Sequence, residues 1–91
     1  MNIADQIKQK IEEAIEPTHL EVINQSHLHK GHAGDDGSGE SHFKLVVVWS
    51  GFSAYSRIER QRYVHRALGQ NLIQKIHALQ LSCLTPEQFT A

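Results

Sequence analysis

The chain has 91 residues, of which 40% are hydrophobic and 21% charged, with a formal charge of −1. That composition reads as globular rather than disordered, and the length is that of one domain over residues 1–91, burying a little over ~60% of the unfolded surface. The charge argues against a general nucleic-acid coat protein. The longest apolar run, Leu45–Trp49, is too short to span a bilayer, and no secretory signal opens the chain, so a cytoplasmic location is expected. The one cysteine, Cys83, has no partner for an internal disulfide. Seven histidines are the compositional anomaly.

Isoleucines at 3, 7, 11 and 15 recur at helical spacing and predict an amphipathic first helix, started by Asn2 and stopped by Pro17. A strand is expected over 19–25, with Leu20 and Val22 alternating against Glu21 while Ile23 falls out of phase. A clearer strand follows over 43–50. There Phe43, Leu45, Val47 and Trp49 share one face and Val46 and Val48 make the other apolar too, as suits an interior strand.

Between these strands, residues 27–41 read as a flexible glycine- and histidine-rich loop. It holds four of the six glycines, at 31, 34, 37 and 39, with His27, His29 and His32, and His42 at its exit. A hairpin needs only about two to five residues to turn, so a loop this long is read as functional or disordered.

Ser56 and Glu59 stand at capping-box spacing ahead of a second helix with Val64, Ala67, Leu68 and Leu72 on one face. This helix is expected to run to about Lys75, weakened by Gly69. A third strand is expected over 77–84, with Leu79, Leu81 and Cys83 on one side. Thr85, Pro86 and Gln88 form a compact start for a last helix. The order α-β-β-α-β-α predicts an α+β domain. Its small mixed three-stranded sheet has an antiparallel hairpin, a parallel crossover and helices on one face.

Three features carry chemistry. His27, His29 and His32 form H-x-H-x2-H, a donor-rich pattern because neutral imidazole presents a lone pair to metals. A closed zinc site needs four ligands, usually including thiolates, and no Cys-x2-Cys pair exists to complete one. The bland alternative is a solvated polar loop. His77, at the junction of helix and last strand, is a second donor, or a partly buried histidine satisfied by a backbone carbonyl. Arg57, Arg60, Arg62 and Arg66 give the second helix a cationic character suited to phosphates, to an acidic protein, or merely to solvent. The element order resembles KH-type RNA-binding domains, but no G-x-x-G opens the second helix, which weakens RNA binding. Cys83 reads as a buried apolar cysteine, His19 and His65 as surface histidines, and no Ser/His/Asp grouping or phosphate loop supports an enzyme.

The residues also resemble the BolA family. The resemblance lies in His19-Leu20-Glu21-Val22, Ser26-His27-Leu28-His29 and Gly39-Glu40-Ser41-His42-Phe43-Lys44. It continues in Arg60-Gln61-Arg62-Tyr63-Val64, Ile76-His77-Ala78-Leu79 and Thr85-Pro86-Glu87, covering nearly the whole chain. The resemblance implies a class II KH-like fold and a non-enzymatic adaptor in iron–sulfur cluster trafficking or iron regulation. Such a protein pairs with a monothiol glutaredoxin and shares a [2Fe–2S] cluster with it and glutathione, the isolated protein holding none. It implies His77 and a loop histidine as metal ligands, His29 being the best loop match, with His27, His32 and His42 as alternatives. Histidine in place of thiolate would raise the cluster's potential and make it acid-sensitive. Gln61 departs from the family's usual Arg-His-Arg. The free protein is expected to be a monomer. The rival readings are a DNA-binding transcription regulator using Arg60, Arg62 and Arg66, and an independent zinc or nickel binder using the loop.

Overall fold

The computed structural model describes residues 2–25 and 42–90. Helix α1 spans Ile3–Ala14, strand β1 His19–Asn24 and strand β2 His42–Val48. A 3₁₀ turn over Ser50–Ala54 leads into α2, Arg57–Leu68. A single turn, α3, covers Gln70–Ile73, followed by β3, Ala78–Leu84, and α4, Pro86–Thr90. The sheet order is β1-β2-β3, with β1 antiparallel and β3 parallel to the central β2, as the element order predicts.

The helix starts follow from local chemistry. Asn2 Oδ1 accepts from the Asp5 amide at 2.8 Å. The Ser56 hydroxyl accepts from the Glu59 amide while the Glu59 carboxylate accepts from the Ser56 amide, closing a capping box. Thr85 and Gln88 make the same reciprocal pair ahead of α4.

Two expectations are corrected. Gly69 does not merely weaken the second helix but ends α2, adopting φ +83, a conformation in which a side chain would be strained. The central strand stops at Val48 rather than Ser50: the Trp49 amide donates to Leu84 O and the chain then winds tightly. The Trp49 indole lies over Gly51, where a Cβ would overlap it.

The core lies between the sheet and the first three helices. Ile7, Ile11 and Ile15 of the α1 stripe meet Phe43, Leu45 and Val47 of β2, with Val64, Leu68 and Leu72 closing over them. Leu20, Val22, Leu79, Leu81 and Cys83 extend this layer at partly buried positions. Alternation along the strands sends Ile23, Lys44, Val46 and Gln80 to the opposite face. Ile23 thus keeps the strand's period and is exposed rather than out of register. Phe89 of α4 stacks on His19 at that opposite face, with ring centroids 4.8 Å apart. His19 is therefore more than a surface histidine: its Nε2 is buried without a hydrogen bond, 3.5 Å from a Glu21 carboxylate oxygen.

No helix among the described residues is long and apolar enough to cross a membrane.

Candidate functional site at one end of the sheet

The parallel register of β2 and β3 sets His42 opposite Ala78 at the first rung of the ladder. His77 immediately precedes that rung, so two histidines far apart in sequence meet with ring centroids 5.2 Å apart and planes tilted by 54°. Their exposures differ. His42 is 6% exposed, whereas His77 is open to solvent. His77 falls just outside β3 because turn bonds from Lys75 to Leu72 O and from Ile76 to Ile73 O hold the preceding chain in a coil. A shallow cleft of about 290 Å³ beside the pair is lined by Gln25, His42, Phe43, Ala78, Leu79 and Gln80.

The amide of Gln25 donates to His42 O at 2.8 Å, so the chain leaves β1 and re-enters β2 at this same end of the sheet. His27, His29 and His32 belong to the segment 26–41, outside the described residues. Among the described residues no three His, Cys, Asp or Glu side chains converge to hold a metal. A [2Fe–2S] cluster takes four ligands, and imidazole serves on one of its irons in Rieske-type centres. One or two imidazoles at an exposed edge therefore fit a cluster whose remaining ligands come from another molecule, and do not fit one held by these residues alone.

The three arginines named from the sequence separate. Arg62 and Arg66 are exposed on α2, but Arg60 is only 8% exposed. Its Nε donates to Tyr55 O at 3.1 Å, its Nη1 to Cys83 O at 3.2 Å and to Gln88 Oε1 at 2.8 Å. Its guanidinium carbon also sits 5.9 Å from the Phe52 ring centroid. Arg60 is thus a strut joining α2, β3 and α4, which leaves Arg62 and Arg66 as the outward-facing pair of the three. The signal was present in the sequence: Arg60, Val64 and Leu68 recur every fourth residue, on one face of the helix. Sequence reasoning also passed over Ile58, which is 59% exposed on the opposite side of α2.

Cys83 is half-buried beneath this strut. Burial pushes its thiol up to about 11, the Arg60 charge offsetting only part of that rise. A thiol so protonated at neutral pH is a poor nucleophile and ligand.

The small α+β fold with its three-stranded mixed sheet places the chain in the class of the solved BolA structures. BolA1 from Arabidopsis thaliana matches with a TM-score of 0.81 at 32% identity, over 96% of this chain and 95% of that one. A family model described as BolA-like protein matches residues 11–88, and the chain belongs to this family. A Sinorhizobium protein described only as an uncharacterized protein in the cobS 5' region is 41% identical over 99% of this chain and 98% of its own. The Haemophilus influenzae protein named DNA-binding transcriptional regulator BolA is 37% identical over 100% of this chain and 84% of its own.

Proposed function

We propose that this chain is a non-enzymatic cytoplasmic adaptor. It pairs with a monothiol glutaredoxin and shares a [2Fe–2S] cluster with it, in iron–sulfur cluster trafficking or iron regulation. The observation that carries this reading is the exposed His77 imidazole, backed by buried His42, at the edge where segment 26–41 begins and ends. His77 supplies one ligand and a histidine of that segment, best His29, the other, with His27 and His32 as substitutes. The partner cysteine and a glutathione thiolate complete the set. Imidazole in place of thiolate lowers the negative charge on the cluster and raises its reduction potential. His42 acts behind His77, limiting the orientations its ring can take.

The fold supplies a preorganised donor and a partly open edge. The rival reading, regulation by direct DNA binding, is supported by the name of the Haemophilus influenzae relative. In this chain it would have to rely on Arg57, Arg62 and Arg66, since Arg60 is committed internally.

The test is anaerobic reconstitution with a monothiol glutaredoxin, glutathione, iron and sulfide, followed by visible circular dichroism. The expected outcome is a spectrum distinct from that of the glutaredoxin homodimer, lost or altered in His77→Ala. A spectrum unchanged by adding the wild-type chain would overturn the adaptor reading.

A further inference from the structure

We propose that the outward face of α2 is a second docking surface, remote from the histidine edge, and that its occupant is an acidic protein segment with an apolar side chain at its centre. On α2 the residues Ile58, Arg62, His65 and Arg66 recur at helical spacing, facing away from Arg60, Val64 and Leu68. With Tyr55 and Glu59 they line a groove of about 620 Å³. Ile58, at 59% exposure, is the most open of the large hydrophobic side chains among the described residues, against 43% for Phe89 and 40% for Ile23.

The groove is held in shape by groups beneath it. The capping box fixes the first turn of α2, Arg60 ties that turn to β3 and α4, and Tyr55 packs on Tyr63 with ring centroids 5.6 Å apart. A partner therefore meets a preformed surface and loses less entropy in ordering it.

Charge selects the partner. Counting Arg57, Arg60, Arg62 and Arg66 against Glu59, α2 carries +3, so the rest of a chain of −1 carries −4. No carboxylate among the described residues forms an ion pair with Arg57, Arg62 or Arg66. The one acid in the groove, Glu59, is tied into the capping box and held below the usual carboxylate range by its hydrogen bonds to Ser56 and by Arg62. It stays ionised at neutral pH. A phosphate backbone would meet that carboxylate and the −4 of the surrounding molecule while finding no use for Ile58. A short acidic segment can reach Arg62 and Arg66 and set an apolar side chain against Ile58 and Tyr55.

Position makes this surface independent of the proposed metal edge. Arg60 anchors the start of α2 at Cys83, six residues along extended β3 from His77, a span of roughly 20 Å at ~3.3 Å per residue. Ile58 and Arg62 thus lie toward the opposite end of the sheet, leaving both surfaces free to be occupied together. The chain becomes a bridge between its histidine-edge partner and a second protein.

Fluorescence anisotropy on the isolated chain tests this, using a labelled peptide of glutamates and alanines with a central leucine, and random-sequence duplex DNA as competitor. The peptide is expected to bind wild type, and to bind at least ~tenfold more weakly to Ile58→Ser and to the double variant Arg62→Glu, Arg66→Glu. Replacing its leucine by serine should weaken it similarly, and His77→Ala should leave binding unchanged. Urea midpoints within error of wild type confirm that the variants fold, with Arg62→Gln as a milder second probe. Tighter binding of DNA than peptide, insensitive to Ile58→Ser, would make this a nucleic-acid surface. Binding of neither probe, or loss of the peptide in His77→Ala, would also overturn the proposal. Because no glutaredoxin or cluster is present, this result stands apart from the fate of the adaptor reading.

Discussion

At the histidine end of the sheet one donor is buried behind another that is left to solvent. At the arginine end a donor of larger capacity is drawn inside and engaged by three acceptors. His77 keeps its lone pair at an exposed edge, whereas the Arg60 guanidinium links a loop carbonyl, a strand carbonyl and a side-chain amide. The difference teaches that residue type names a capacity, and that burial together with hydrogen-bond satisfaction decides whether the capacity faces outward. A buried guanidinium without its acceptors would be costly, so its satisfaction here marks a structural role.

Removing each donor is the sharpest way to break this comparison, and Arg60 should give the largest effect. Arg60→Ala removes its hydrogen bonds to Tyr55 O, Cys83 O and Gln88 Oε1, the last still held by the Thr85 amide, and its expected cost is ~2–4 kcal/mol by urea denaturation. Arg62→Ala, on an exposed face, should stay within ~0.5 kcal/mol. Equal effects from the two would show that Arg60 is not a strut. Loss of nucleic-acid binding in Arg60→Ala would accordingly have to be separated from unfolding before it was read as a lost contact.

Next comes the turn that sets α2 in place. In Gly51→Ala the new methyl meets the Trp49 indole, which itself packs on Phe52 and Tyr63 with ring centroids 5.2 and 5.5 Å away. Overpacking of this kind should cost ~1–3 kcal/mol, read from the same denaturation midpoint. The histidine end should respond in the opposite sense. His77→Ala is expected to change stability by less than ~0.5 kcal/mol, since the ring is exposed, while abolishing the mixed-ligand circular dichroism signal. His42→Ala removes a buried ring and should cost ~1–2 kcal/mol while weakening the signal less than His77→Ala does. A reversed order would make His42 the ligand and His77 the support.

Local chemistry was legible in the sequence and long-range pairing was not. Asn2, the Ser56–Glu59 box and the Thr85–Gln88 pair act over three residues, so their spacing alone places three helix starts. The isoleucine stripe of α1 and the alternation of β2 likewise announce their buried faces. By contrast, the meeting of His42 with His77 depends on the register of a parallel ladder, which no local spacing encodes. Arg60 was legible in principle through its phase with Val64 and Leu68. Charge, taken as a sign of exposure, masked a periodicity that pointed inward. The assignment of loop ligands rests on the family resemblance, since His27, His29 and His32 lie outside the described residues.

The smallest expected effects come from two titrating groups at the arginine end, and their signs differ. Glu59 has a lowered pKa in the fold because it accepts hydrogen bonds from Ser56, so its contribution is present above the ordinary carboxylate value and fades as pH falls through the folded value. Glu59→Gln keeps the capping geometry without the charge and should flatten that acid-side decline in a urea-midpoint series. Cys83 behaves conversely. Its thiol is raised by burial to about 11 from an ordinary 9.0, so stability is unaffected below the ordinary value and declines as pH climbs toward the folded one. Iodoacetamide should therefore alkylate Cys83 much more slowly than free cysteine at mildly alkaline pH. Rapid labelling of the wild-type chain under native conditions would mean that the arginine end opens readily. The contrast between a closed arginine end and an open histidine end would then fail.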